Sequence, residues 1–170
     1  MFNSISRWLL KSKLSQKNNE AKRTFLTWDK VNSLALIISQ DTNINRNALD
    51  KWIADTKKFV EVFYVETSNK VASYGDWFCF TRKEKNLFNL PKKNVEEELL
   101  QKKYDLIINT SNEQNYYAAA VLLALDAPYK CAASADLQDA NLIVSPSVQG
   151  NLIHQLQDTM RYLQMIREEK

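Results

Sequence analysis

Polar residues that could do chemistry follow two apolar runs of this sequence. Ser39 and Asp41 come after the first run. Asn109, Ser111 and Glu113 come after the second. The two carboxylates could act as a base or bind a cation, and the amide and hydroxyl groups could recognise a sugar or a nucleotide. Loops are also polar because they face water, so the same residues are compatible with no ligand site.

Other reactive side chains are few. Two cysteines and one histidine cannot form a standard Cys/His zinc site. Cys79 and Cys131 lie in predicted strands and are expected to be buried thiols in a reducing compartment. His154 lies within a predicted helix beside apolar residues, which indicates a structural or surface histidine. We therefore predict no catalytic residue, no metal and no cofactor, and we favour a protein that is not an enzyme, while a carboxylate metal site stays open.

Glycine is too scarce for the common nucleotide motifs. Gly75 and Gly150 are the only glycines in the 170 residues. A G-x-G-x-x-G turn or a phosphate-binding P-loop needs several glycines close together. This excludes a dinucleotide held by a glycine-rich motif, although nucleotides bound in other ways remain possible.

The polar residues need a scaffold, and the segment 102–128 indicates which one. Asp105–Asn109 is a short apolar run, a polar loop follows, and Gln114–Leu125 is an apolar helical run. This order is typical of a strand and helix in a buried parallel sheet. Further strands are predicted at 31–39, 59–66, 77–80, 129–133 and 141–145, and further helices at 45–58, 94–101 and 147–168.

The alternation of strands and helices predicts an α/β fold, a three-layer sandwich with a Rossmann-like, mostly parallel sheet of five or six strands. We expect residues 31–170 to form this single domain, preceded by a basic helix and linker at 1–30 and closed by a long C-terminal helix. Asn43 or Asn45 is the predicted N-cap of the second helix, and Asn94 that of the third. The helix after the central strand is expected to lie close on the sheet through a face rich in small residues. This face consists of Tyr116, Ala119, Ala120, Leu123 and Ala124.

The N-terminal arm carries most of the positive charge. Residues 1–30 contain seven basic and two acidic side chains, whereas the rest of the chain has a net charge of −2. Phe2–Lys17 is predicted to be an amphipathic helix, with Phe2, Ile5, Trp8 and Leu9 on its apolar side. The cations expected to contact an anionic surface are Arg7, Lys11, Lys13, Lys17, Lys22 and Arg23.

Four interpretations of this arm stay open. The apolar side docks on the domain, the helix binds an anionic lipid surface, it contacts RNA, or the arm is a targeting sequence. Elsewhere no apolar run approaches the roughly 20 residues that span a bilayer.

The central segment resembles a known enzyme family. Tyr104–Asn109, the polar loop, the Ala/Leu helix and Ala127–Lys130 are similar to the N-terminal half of heptosyltransferase-type glycosyltransferases of the GT-B fold. The resemblance covers residues 100–135. This sequence lacks the arginine and glycine that the family has in the last strand of that region. It also contains no counterpart of the family's second domain. The resemblance implies a degenerate transferase half and a sugar or nucleotide ligand.

The layout of the whole chain resembles an uncharacterised family of short Bacteroidota proteins. The matching parts are Trp77-Phe78, Tyr104–Asn109, Asp136–Ile143 and the helix from Leu152 to Ile166. The resemblance implies a bacterial, cytoplasmic protein, with peripheral attachment to the inner membrane as a further expectation, and brings no activity.

Three functions follow from these observations. The first is a non-catalytic binding domain with a protein partner or a second copy of itself. The second is a small-molecule site for a sugar or nucleotide. The third is attachment to a membrane surface or RNA through residues 1–23, which is compatible with either of the others.

Overall fold

The structure, a computed structural model, describes residues 2–17, 26–39, 44–66, 75–112, 115–134, 140–145 and 151–166. The described residues form a parallel sheet of six strands with helices on both faces. This confirms the predicted α/β sandwich with a Rossmann-like sheet, a helix before the sheet and a long helix after it.

Most elements have bounds close to the predicted ones, but the last helix begins at Leu152 rather than at residue 147, and the last strand has two residues rather than five. The strands are β1 (Ser33–Ser39), β2 (Phe59–Val65), β3 (Phe78–Phe80), β4 (Leu106–Asn109), β5 (Tyr129–Ala132) and β6 (Leu142–Ile143). The helices are α1 (Phe2–Lys17), α2 (Arg46–Thr56), α3 (Lys93–Leu100), α4 (Tyr116–Ala124) and α5 (Leu152–Met165). Asn45 caps α2 as predicted, accepting a hydrogen bond from the Ala48 amide at 3.1 Å. The prediction of Asn94 as a cap was wrong, since α3 begins one residue earlier and Lys92 is its N-cap.

The strand order is β3-β2-β1-β4-β5-β6. After β1 the chain continues through α2 to β2 on one side, and after β4 it continues through α4 to β5 on the other. The two neighbouring central strands therefore send the chain in opposite directions. Such a switch point opens a crevice beyond the carboxyl ends of the strands, where ligands bind in open α/β sheets.

The core has one apolar cluster on each face of the sheet. On the α2 face, alternate strand residues pack with α2 and α5. On the α4 face, the intervening strand residues pack with α3 and α4. The alternation is clear in β1, where Leu36 faces α2 while Ala35 and Ile37 face α4. Both faces are covered, which is why the strands read as continuous apolar runs.

Helix α4 is buried on both of its sides. Its sheet side contributes Tyr117, Val121 and Leu122 to the cluster on the α4 face. Its other side packs with α1, where Leu10 is fully buried against Leu90 and the residues Ala119 and Leu123. The prediction that the small-residue side of this helix lies on the sheet was therefore wrong. The small residues allow α1 to pack closely instead.

A buried lysine stabilises the end of α4. Lys130 lies in β5 and is almost inaccessible to solvent. Its ammonium donates hydrogen bonds to the carbonyl oxygens of Leu122 at 2.8 Å and Leu125 at 3.0 Å. These carbonyls belong to the last turn of α4, where no amide can reach them. The positive charge also lies at the negative end of the helix dipole.

At the opposite, amino edge of the sheet, Asp105 joins β1 to β4. Its Oδ2 accepts hydrogen bonds from the Asn32 amide at 2.8 Å, the Ser33 amide at 2.9 Å and the Ser33 hydroxyl at 3.1 Å. The backbone bonds from Asn32 and Ser33 stabilise the carboxylate and hold the pKa of Asp105 below its usual range. This residue therefore fixes the alignment of the two central strands.

Candidate functional site

The carboxyl ends of β1 and β4 bring three of the predicted site residues together. Ile37 of β1 lies opposite Asn109 of β4, and the Thr110 amide donates to the Ile37 carbonyl at 3.0 Å. Continuing this register brings Ser111 opposite Ser39. Alternation along the strands places Ser39 and Asn109 on the α4 face. The sequence placed these residues after two strands, and the structure shows that the two strands are neighbours.

Asn109 and Ser111 form a fixed turn. The Asn109 side-chain oxygen accepts hydrogen bonds from the Ser111 amide at 3.0 Å and the Ser111 hydroxyl at 2.7 Å. Both residues are buried. A side chain that bonds to the backbone two residues later replaces a backbone turn. The role of the pair is therefore to shape the edge, in addition to any contact with a ligand.

Ser39 is the unusual member of the set. It is 0 % exposed, and its hydroxyl has no hydrogen-bond partner in the part of the chain that the structure describes. A buried hydroxyl without a partner costs about 1–3 kcal/mol. Native proteins contain few such groups, and each one needs an explanation. One explanation is that the partner is a ligand.

Two further buried polar atoms, one at the N-cap of α4 and one in its first turn, have no hydrogen-bond partner within the described ranges. Asn115 is the N-cap of α4, with its oxygen accepting from the Ala118 amide at 3.0 Å, while its Nδ2 is buried without a partner. The fully buried Tyr117 hydroxyl also lacks one, and burial raises the pKa of this phenol. The Tyr117 ring packs at a tilt of 50° against Phe80, the last residue of β3, with ring centroids 5.6 Å apart. Its side chain therefore belongs to the carboxyl edge.

A lysine held by a backbone carbonyl completes this edge. Lys85 donates to the Glu66 carbonyl oxygen at 2.5 Å, and its ammonium lies 5.0 Å from the centroid of the Tyr117 ring. Burial lowers the pKa of Lys85, while the charges of Glu66 and Glu84 act in the opposite direction. Glu66 follows the last residue of β2 and is itself buried. The edge thus offers a half-buried cation next to hydroxyl and amide groups, which suits a ligand with hydroxyls and a negative charge.

The sequence missed Asn115, Tyr117 and Lys85 as site residues. Lys85 belongs to a basic stretch predicted to be a loop, and Tyr117 belongs to an apolar helical run. A tyrosine within an otherwise apolar helical run is a usable signal, because its hydroxyl has to find a partner if the helix is buried. Asp41 and Glu113, the two predicted carboxylates, lie outside the described residues.

The predicted cationic residues lie on α1. Arg7, Lys11 and Lys13 are exposed, and Lys13 forms an ion pair with Glu96 of α3. The Lys17 side chain, Lys22 and Arg23 fall outside the described part. The apolar side of α1 differs from the predicted one: Leu10 and Ser6 are buried, whereas Trp8 is 67 % exposed. The expectation that Trp8 docks on the domain was therefore wrong.

An apolar groove lies beneath α1. It has a volume of about 470 Å³ and runs between α1, α3 and α4. Leucine side chains dominate its walls, and the Lys13–Glu96 ion pair lies at its side. The groove offers few polar groups, so it differs in chemistry from the carboxyl edge.

The remaining candidates give no additional reactive site. Within the described ranges, no group of three or more His, Cys, Asp or Glu side chains could hold a metal ion. No helix in those ranges is both long and apolar enough to cross a bilayer. Cys79 and Cys131 are free thiols in β3 and β5, and burial raises the pKa of Cys131 to about 12. His154 is exposed on α5, as expected for a surface histidine.

Comparison with protein families gives one match, which covers almost the whole chain. The model of a family of unknown function, DUF6913, matches residues 3–166. The chain belongs to this family. The matched span includes α1, the complete sheet and the carboxyl edge between β1 and β4. No curated protein and no solved structure matches the chain.

Proposed function

We propose that this member of the family is a binding domain that takes up a small polar molecule at the carboxyl edge between β1 and β4. It acts by binding, without turnover. The observation that carries the proposal is a set of three buried polar atoms at this edge, in Ser39, Asn115 and Tyr117, which find no hydrogen-bond partner among the residues that the structure describes. A ligand that forms hydrogen bonds with these atoms would remove the free-energy cost of leaving them unpaired in the free protein.

The position supports the same conclusion. In open α/β sheets the crevice at the switch point is where ligands bind, and these three residues lie around that point. The geometry needs no glycine-rich loop, because the groups offered are side chains. Lys85 provides the positive charge that a phosphate or carboxylate group would need.

A sugar phosphate, a nucleotide or a nucleotide sugar is the ligand class that we favour. The Ser39 and Tyr117 hydroxyls and the Asn115 amide suit ligand hydroxyls, and Lys85 suits the charge. The resemblance of residues 100–135 to heptosyltransferase-type glycosyltransferases points to the same class. We also propose that the protein is bacterial in origin and located in the cytoplasm.

The test is a thermal-shift screen of the purified chain with free sugars, sugar phosphates, nucleotides and nucleotide sugars. A ligand present at 100 times its Kd stabilises the folded state by about 2.7 kcal/mol. For a protein of this size that corresponds to a rise in Tm on the order of 5–10 °C. Isothermal titration would then give the Kd of each compound that raises the Tm.

Matched variants show whether the ligand occupies the proposed site. Ser39→Ala and Tyr117→Phe each remove one unpartnered hydroxyl, so both should weaken binding, and Lys85→Met should weaken binding of charged compounds most. Ser6→Ala changes an equally buried serine whose hydroxyl already has a partner, the Phe88 carbonyl, and should leave binding unchanged. The proposal is wrong if no compound class raises the Tm, or if Ser39→Ala and Ser6→Ala bind equally well.

A further inference from the structure

A second surface exposes large apolar side chains from two segments. Ile5 and Trp8 are exposed on α1, and Leu87 and Phe88 are exposed on the turn that precedes α3. Leu87 is 87 % exposed and Trp8 is 67 % exposed, which is unusual for side chains of this size. The Ser6 hydroxyl donates to the Phe88 carbonyl, so the turn lies alongside the first half of α1. We name these four residues the apolar tips.

The turn that carries Leu87 is held rigidly. The Asn86 side-chain oxygen accepts hydrogen bonds from the amides of Phe88 at 2.9 Å and Leu90 at 3.1 Å. The Asn86 amide in turn donates to the Leu90 carbonyl at 2.8 Å, and Asn89 adopts a left-handed backbone with φ 56°. Leu90 is buried against α1 and α4. The protein thus anchors one leucine of the turn and presents another to the solvent.

Positive charge surrounds the apolar tips. Apart from Lys85, which lies at the carboxyl edge, the two segments 2–17 and 82–100 together contain eight basic and four acidic side chains, a net charge of +4, whereas the whole chain has +3. Three of these four acids already have partners: Glu84 in its capping box with Thr81, Glu96 with Lys13, and Glu97 with Lys93 at 3.8 Å. The charge that remains for a partner is therefore strongly positive.

We propose that the apolar tips and the cations around them dock the protein on an anionic phospholipid surface. Separate aromatic and aliphatic tips, surrounded by lysine and arginine, match an interface in which apolar groups insert between headgroups and cations bind the lipid phosphates. An RNA would use the cations and stack on Trp8, but it gains nothing from an exposed Leu87. A bilayer would bind the cations and also bury the apolar tips, including Leu87. The apolar tips are exposed side chains, whereas the proposed ligand site consists of buried polar atoms, so vesicle binding and ligand binding are measured independently and either proposal can fail alone.

Tryptophan fluorescence gives a direct test, because Trp8 differs from the other tryptophans of the chain. Trp28, Trp52 and Trp77 are buried, so a change in emission on adding lipid reports mainly Trp8. The intact chain is mixed at low salt with vesicles of phosphatidylcholine and phosphatidylglycerol, or of phosphatidylcholine alone. We expect a blue shift and sedimentation with the anionic vesicles only, and both should weaken as salt is added.

Variants connect the binding to the apolar tips. Leu87→Asp should weaken binding by about tenfold or more, because an inserted leucine is lost and a negative charge is added. Met165→Asp is the matched control, since Met165 is 65 % exposed on α5, which packs on the opposite face of the sheet. It should bind as the parent chain does. Trp8→Phe should abolish the blue shift and keep the sedimentation.

Three results would overturn this proposal. One is the absence of blue shift and sedimentation with anionic vesicles at low salt. Another is an equal loss of binding in Leu87→Asp and Met165→Asp, both shown to be folded by circular dichroism. The third is a chain that binds single-stranded RNA at low salt while anionic vesicles leave it in solution, which would assign the surface to nucleic acid.

Discussion

Two buried serines give the sharpest prediction, because the same substitution should change stability in opposite directions. Ser39 and Ser6 are both 0 % exposed. The Ser6 hydroxyl donates to the Phe88 carbonyl, whereas the Ser39 hydroxyl has no partner among the described residues. Replacing each with alanine removes one oxygen atom and leaves a similarly small void. The difference between the two variants therefore reports the hydrogen bonding of the hydroxyl.

For Ser39→Ala the free protein should become more stable. The substitution removes an unsatisfied hydroxyl that destabilises the folded state by about 1–3 kcal/mol. The small void left by the missing oxygen offsets part of this gain in stability. The expected net gain is about 1 kcal/mol, which corresponds to a Tm higher by about 2–4 °C for a chain of this size.

For Ser6→Ala the protein should become less stable. The bond to the Phe88 carbonyl is lost, at a cost of about 1–2 kcal/mol. Alanine is the better helix former inside α1 and recovers about 0.5 kcal/mol of this. The expected net loss is about 0.5–1.5 kcal/mol.

The assay is urea unfolding of both variants and the parent chain, followed by circular dichroism at neutral pH without ligand. Equal m-values in the three proteins are needed for the free energies to be compared. If Ser39→Ala is destabilised as much as Ser6→Ala, the Ser39 hydroxyl already has a partner in the free protein, and the argument for a ligand at this position fails.

Three other predictions concern groups whose environment is clear. Because the folded-state pKa of Asp105 is depressed, its stabilisation is complete above the ordinary aspartate pKa and is lost as the pH falls through the folded value. Urea unfolding at several pH values should therefore show Asp105→Asn less stable than the parent at neutral pH and equal to it in strong acid. Lys130→Met leaves two buried carbonyls of α4 unpaired and should lower the unfolding free energy by about 2–4 kcal/mol, measured by the same urea method, with Lys130→Arg as the milder control. In the native protein a thiol reagent should modify Cys79 faster than Cys131, which is buried with a raised pKa, and denaturant should make the rates similar; equal native rates would contradict the burial.

The strands and their order of appearance could be predicted because both sheet faces are covered. Apolar runs such as the one ending at Ile38 carry that burial directly in the sequence. The N-cap of α2 was also predictable, since Asn45 stands just before the apolar periodicity begins. These are local signals, and the tertiary structure agrees with each of them.

The packing of the helices could not be predicted in the same way. Helix α4 is apolar around its whole circumference, so the sequence does not distinguish the side that meets the sheet from the side that meets α1. The choice depends on α1, whose Leu10 is separated from its neighbours on α4 by about a hundred residues of chain. Tyr117 was missed as a site residue for the same reason, since only the packed structure shows that its hydroxyl meets no partner in the described part of the chain.

The position of α1 over α4 restricts how this arm can be investigated. Leu10 packs against Leu90, Ala119 and Leu123. A chain that lacks its first seventeen residues would therefore expose an apolar strip of α4 to solvent. Such a chain would tend to aggregate, and its failure to bind vesicles would say nothing about the outward side of the arm. Single exchanges on that outward side, which leave Leu10 in place, are therefore the informative ones.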